Sequence, residues 1–311
     1  MPKFDYLPGL IMVALLEYVS ALYFFGTFRL RSWHWCRECL YDSNSSDESI
    51  EIVDETFEFE STYESFHPKL KYVLFATRIA SLIYILGVSV LWNYLYSRHQ
   101  WFYFTLWNAQ LLSLYFLFSS ICSAIGLYSS RKVSDEDVVA DDVEKSTRSS
   151  AMTVLKSIKA DISVAHSGLL GRVTRILFEI CGGSCFFVTV VNFAVINHDM
   201  SFRNVSAHLI PFLTLLVELI FNNMRIRVDH FTYNISFAMM YLIFVWPLVV
   251  LGSIPDWPYP FLAVDTVDCY AMYTLLFLLD ILFYFSFYSL SSLKHLITKL
   301  FHNGFCGYRT P

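Results

Sequence analysis

The chain has 311 residues, of which 56% are hydrophobic, 18% aromatic and only 16% charged, and its net charge is -5. That balance is too apolar for an ordinary soluble domain and argues against a nucleic-acid binder. Seven cysteines are scattered along the chain, only Cys36 and Cys39 lying close enough to suggest a unit, so no disulfide framework is indicated.

Taken in order, seven apolar stretches are long enough to cross a bilayer, at roughly 6–28, 72–97, 101–127, 172–196, 205–224, 232–252 and 267–292. Hydrocarbon cannot satisfy exposed backbone amides and carbonyls, so each is predicted to be helical. The fold class is therefore all-α: a polytopic integral membrane helical bundle, with an extra N-terminal helix in 1–28 and a six-helix core over 72–293. The first stretch is too long for a signal-peptide core and is read as a retained helix. Residues 29–71 hold nine carboxylates between Tyr41 and His67, with no Lys or Arg there, and read as an acidic, disordered cytosolic loop.

A second cytosolic connection, 128–171, is acidic at first and changes character at Met152. From there to Leu169 apolar residues recur every three or four positions, which predicts a helix lying at the membrane surface. Residues 294–311 form a cytosolic tail. Lys and Arg set this orientation: seventeen fall in alternate connections and the tail, against Lys3, Arg98 and Arg203 on the opposite side. The N-terminus is thus expected in the lumen or outside and the C-terminus in the cytosol, in the endoplasmic reticulum or plasma membrane.

The third stretch, Trp101 to Ser130, has no Asp, Glu, Lys or Arg in thirty residues, and it carries Thr105 near its start. The fifth begins with His208. Alone, a membrane-embedded threonine bonds a backbone carbonyl or a neighbouring helix, and a histidine at a helix start caps or packs. Topology gives the pair more meaning, because both helices run inward from the outer side. Thr105 would lie about 6 Å below Trp101 by helical rise, and His208 at matching shallow depth. A threonine hydroxyl needs a base to take its proton as it attacks a carbonyl, and histidine suits that role near neutral pH.

Glu17, Glu179, Glu218 and Asp280 are ionisable groups inside spans. Each can be read as an interhelical hydrogen bond or a partner for Arg78 or Arg175, and Glu179, Glu218 and Asp280 also as a proton or ion path. His34, Cys36 and Cys39 lack a fourth ligand, so no metal is assigned, and juxtamembrane cysteines suit palmitoylation as well. Asn44, Asn204 and Asn234 stand in glycosylation tripeptides, of which only Asn204 would face the lumen.

Four pieces of the sequence carry a family pattern: Arg78-Ile79-Ala80; Tyr103-Phe104-Thr105 followed by Asn108; His208 with Glu218 ten residues later; and Trp257-Pro258-Tyr259-Pro260-Phe261-Leu262. Over roughly 72–293 the chain resembles the androgen-induced (FAR-type) family of intramembrane threonine hydrolases of fatty acid esters of hydroxy fatty acids. The resemblance implies a lipid ester hydrolase with Thr105 as nucleophile and His208 as general base, acting on a membrane lipid without metal or organic cofactor. Asn108, one turn from Thr105, becomes a candidate oxyanion donor, and Glu218 a site-supporting or structural residue. Trp257, Tyr259 and Phe261 could lid a lipid pocket or form an interfacial aromatic belt. The first helix, the acidic loop and the 128–171 connection have no counterpart in short family members, and Pro211 lies closer to the histidine than their proline does. The Tyr-Phe-Thr stretch is also similar to rolling-stone-type membrane proteins, for which no catalysis is inferred. A seven-helix receptor or transporter is the remaining alternative.

Overall fold

A computed structural model describes residues 70–95, 101–140, 150–196, 199–264 and 268–306. The expected first span, the acidic loop, His34, Cys36, Cys39 and Asn44 lie outside the described residues.

Six described helices are long and apolar enough to cross a membrane. They are α1 (Lys71–Leu95), α2 (Phe104–Ala140), α3 (Ser150–Val191), α4 (Phe202–Phe221), α5 (Phe231–Val250) and α6 (Cys269–Cys306). Each coincides with one of the last six expected spans. The region 128–171 differs from expectation, since α2 continues to Ala140 and α3 begins at Ser150. The amphipathic pattern from Met152 to Leu169 is helical, but it runs without a break into the spanning part of α3 instead of forming a separate surface helix. No Gly or Pro interrupts the chain between Ser150 and Ser167, so nothing in the backbone ends the helix there.

Large apolar side chains such as Ile83, Val90, Leu278 and Leu282 stand exposed on the outer faces of the bundle, as lipid contact requires. Inside, α3 touches α2, α4, α5 and α6 and forms the central post. Gly182 lets α6 approach it closely: a Cβ there would come within 2.0 Å of the Phe287 ring. One apolar cluster, including Leu112, Tyr115, Phe178 and Phe287, fills the middle of the bundle. A second, including Phe104, Tyr241, Trp246 and Leu262, lies toward the end where α2, α4 and α6 begin.

Buried ionic groups clamp the helices. Arg78 Nε lies 3.0 Å from Glu218 Oε1 and 3.2 Å from Oε2, while its Nη1 donates to the Ser119 carbonyl and the Ser123 hydroxyl. This ties α1, α2 and α4 together. Glu179 on α3 accepts from the Arg227 backbone N–H at 2.8 Å and bonds His230 Nδ1, holding the α4–α5 connection. Lys294 on α6 caps the end of α4 by donating to the carbonyls of Leu219 and Asn222, each at 2.9 Å. With these partners the short connection packs its Met224 and Ile226 into the protein without orphaning its backbone.

At the other end, α5 closes with Gly252 at φ +69, where the Gly252 N–H bonds the Val249 carbonyl and the Ser253 N–H bonds the Leu248 carbonyl. This is a Schellman stop, in which a residue without Cβ turns the chain out of the helix. It launches the loop that carries Trp257, Tyr259 and Phe261.

Candidate functional site

Thr105 is the second residue of α2, and its position is fixed from both sides. The Leu106 N–H bonds the Tyr103 carbonyl at 3.1 Å, Trp107 Nε1 donates to the Trp101 carbonyl, and the Tyr241 hydroxyl donates to the Phe102 carbonyl at 2.7 Å. Phe104 is wedged among Phe187, Phe237 and Tyr241, with ring centroids 6.3, 5.4 and 5.1 Å away. The anchored phenyl leaves the half-buried Thr105 on the adjacent face.

His208 sits in a π-helical turn, Val205–Leu209, at the start of α4. The Ile210 N–H bonds the Val205 carbonyl across that wider turn, and the following Pro211 has no N–H with which to continue an α-helical ladder back to Ala207. The Thr189 hydroxyl of α3 donates to the His208 carbonyl at 2.7 Å, fixing the histidine backbone to the central helix. A second π-helical turn, Asn192–Ile196, ends α3 opposite. Asn192 Nδ2 donates to Asn204 Oδ1 at 2.9 Å, and Asn204 Nδ2 donates to the Asp199 carbonyl, so the two turns are bridged by amides. Asn204 is buried in this bridge, which leaves its side chain no access to a glycan. Local π turns of this kind concentrate at functional sites.

Two cavities share a wall here. The outer one, about 510 Å³, is a vestibule of mixed lining, with Asp199, Ser201, Arg203 and Asn204 beside Ile85, Val88 and Leu106 in its wall. The inner one, about 110 Å³, is an apolar chamber walled by Phe104, Phe187, Val188, Leu242 and Phe277, with Asp280 among its lining. Five residues border both: Thr105, Asn192, Ile196, His208 and Tyr259. The expected nucleophile and base are therefore both in the wall that the two cavities share. His208 Nδ1 is buried there and has no hydrogen-bond partner among the described residues.

Tyr259 reaches back from the α5–α6 loop, its ring stacked on Phe261 at 5.2 Å and edge-on to Tyr103 at 5.6 Å. Its hydroxyl lies beside the Thr105 side chain and the first-turn backbone of Phe104 and Thr105. Burial pushes the phenol above its ordinary titration range against the pull of those neighbours.

The other expected site residues divide. Phe261 lines the inner chamber, whereas Trp257 packs on the apolar cluster behind it and borders neither cavity. Asn108 borders neither; its Nδ2 donates to Cys185 Sγ at 3.1 Å and its Oδ1 accepts from the Ser184 hydroxyl at 2.7 Å. Its amide joins α2 to α3 and is already committed. Glu218 is held by Arg78 and borders neither cavity. Among the described residues no group of His, Cys, Asp and Glu could hold a metal ion.

Asn192, Ile196 and Asp280 are additions to the expected site. Asp280 was visible as an acid within a span, while Asn192 and Ile196 carried no local signal beyond lying at the end of α3. Comparison of the chain with protein-family models, with curated proteins and with solved structures finds no match.

Proposed function

We propose that the protein is an intramembrane lipid ester hydrolase, with Thr105 as nucleophile and His208 as general base, of the kind its resemblance to the androgen-induced family implies. One observation carries the reading: Thr105 and His208, from separate helices, both border both cavities, and we take the boundary they share as the neck of the site. An ester lying across that neck would keep its acyl chain in the apolar chamber and its carbonyl at Thr105. Water would arrive through the vestibule.

In the first half-reaction the Thr105 Oγ1 attacks the ester carbonyl as His208 takes its proton. The alcohol then leaves with that proton, and the acyl group stays on Thr105. A water molecule gives its proton to His208 and attacks the acyl-threonine, which releases the fatty acid and restores the hydroxyl. Negative charge develops on the carbonyl oxygen in both steps and needs a fixed donor. The Tyr259 hydroxyl takes that part in place of Asn108, since it already lies against Thr105.

We read the vestibule as lying on the lumenal or outer side, in keeping with the bias of Lys and Arg, and residues 6–28 as a seventh span. Fatty acid esters of hydroxy fatty acids are the proposed substrate class, and no cofactor takes part in this scheme. The test is release of free fatty acid from such an ester by the purified full chain in lipid nanodiscs. Turnover that stops with Thr105→Ala supports the reading, and turnover that persists in that variant contradicts it.

A further inference from the structure

Of the acids marked within described spans, Glu218 is paired with Arg78, and Glu179 with His230 and the Arg227 N–H. Asp280 is different. Its Oδ1 accepts from Asn234 Nδ2 at 2.8 Å, yet its Oδ2 has no partner among the described residues, although only 5% of the residue is exposed. Asn234, 1% exposed, likewise has its Oδ1 unpartnered. Gly183 faces that oxygen, and a Cβ there would stand 3.0 Å from it.

A buried polar atom without a partner costs roughly 1–3 kcal/mol, so an acid left in this condition on the wall of an apolar chamber points to a ligand. Asp280 and His208 both border the chamber, but His208 Nδ1 is itself unpartnered, so Asp280 does not orient the histidine as the acid of a triad would. Helical rise gives the spacing. Asn234 precedes Tyr241 by seven residues on α5, about 10 Å, and Tyr241 packs against Phe104 beside Thr105. The chamber thus has aromatic and aliphatic walls with a hydrogen-bond acceptor some 10 Å below the proposed nucleophile.

We infer that the chamber receives a hydroxylated acyl chain, whose hydroxyl donates to Asp280 while Asn234 holds the carboxylate in place. Hydrocarbon fits the walls between the two polar stations. A chain ending in a free carboxylate is disfavoured, because it would meet a second carboxylate and no ion pair joins Asp280 among the described residues. The inference rests on the hydrolase reading for the ester end of the ligand, whereas recognition of the hydroxyl is a binding event that can be measured without turnover.

The experiment uses the full chain in nanodiscs and non-hydrolysable ether analogues of an acyl ester, either plain or with one hydroxyl moved stepwise along the chain. Binding is read by displacement of a fluorescent long-chain alcohol. The expected result is about tenfold tighter binding at one hydroxyl position near 10 Å from the ether oxygen, falling to no preference in Asp280→Leu. A hydroxyl that weakens binding at every position, or a preference unchanged in Asp280→Leu, overturns the inference. The positional scan needs no variant, so it decides the matter even if Asp280→Leu fails to fold. Ester turnover measured alongside separates the two readings: hydroxyl-selective binding without turnover removes the hydrolase alone, and turnover without selectivity removes the hydroxyl site alone.

Discussion

Thr105 in the first turn of α2 and His208 in the π turn of α4 lie 103 residues apart in sequence and border the same two cavities. Separate structural devices fix each of them: an anchored aromatic, Phe104, beside one, and the Thr189 bond with Pro211 beside the other. Replacing either Thr105 or His208 by Ala should lower kcat for ester hydrolysis by about 10²–10⁴-fold. Neither change should unfold the protein, since both residues are only half-buried. Initial rates and thermal unfolding measured on the same nanodisc preparations check this.

Tyr259→Phe preserves the stack on Phe261 and removes only the hydroxyl beside Thr105. The expected loss is about 10²–10³-fold in kcat with little change in KM, because the bond strengthens as charge develops on the substrate oxygen. A change confined to KM would instead make Tyr259 a wall of the pocket.

The phenol also fixes a pH dependence. A tyrosine can donate only while protonated, and burial holds the proton on Tyr259 beyond its ordinary range near 10. The rate should therefore show no falling limb from Tyr259 as pH rises through about 10, and Tyr259→Phe should leave the shape of the profile unchanged up to that point. The pH profile of kcat, taken where the protein stays folded, is the measurement.

Arg78 and Glu218 are assigned to stability. Removing one partner leaves the other charged and buried, so Arg78→Ala or Glu218→Ala should each cost about 3–5 kcal/mol. Arg78→Met with Glu218→Leu should recover much of that loss, and the folded fraction should retain its turnover number because Glu218 borders neither cavity. Thermal unfolding of the two single variants and the double variant tests the assignment.

Gly182→Ala should destabilise by about 1–3 kcal/mol, since the new methyl overlaps the Phe287 ring, itself fully buried between α3 and α6. Gly87→Ala, where nothing lies within 4 Å, is the control and should be neutral or slightly stabilising. The difference in unfolding temperature between the two is the readout.

The six described spans were legible because a bilayer imposes a length and an apolarity that few other segments of the chain share. That Thr105 and His208 lie at the same end of the bundle was legible from the alternation of the spans, since both stand where an inward-running helix begins. The role of Asn108 was not. Its position one turn from Thr105 says nothing of the face it presents, and Ser184 and Cys185 of α3 occupy its amide. Asp280 was visible as a membrane acid, but its partner Asn234 lies 46 residues away and only the rotation of α5 against α6 brings them together. The π turn at His208 had one trace in the sequence, Pro211 three residues later.

The most direct measurement exposes the folded protein to a fluorophosphonate probe and maps the adduct by mass spectrometry in the native sequence, in Thr105→Ala and in His208→Ala. The account predicts an adduct on Thr105 that disappears in both variants. Folded protein that gives no adduct, or an adduct at another residue that survives both substitutions, would contradict it.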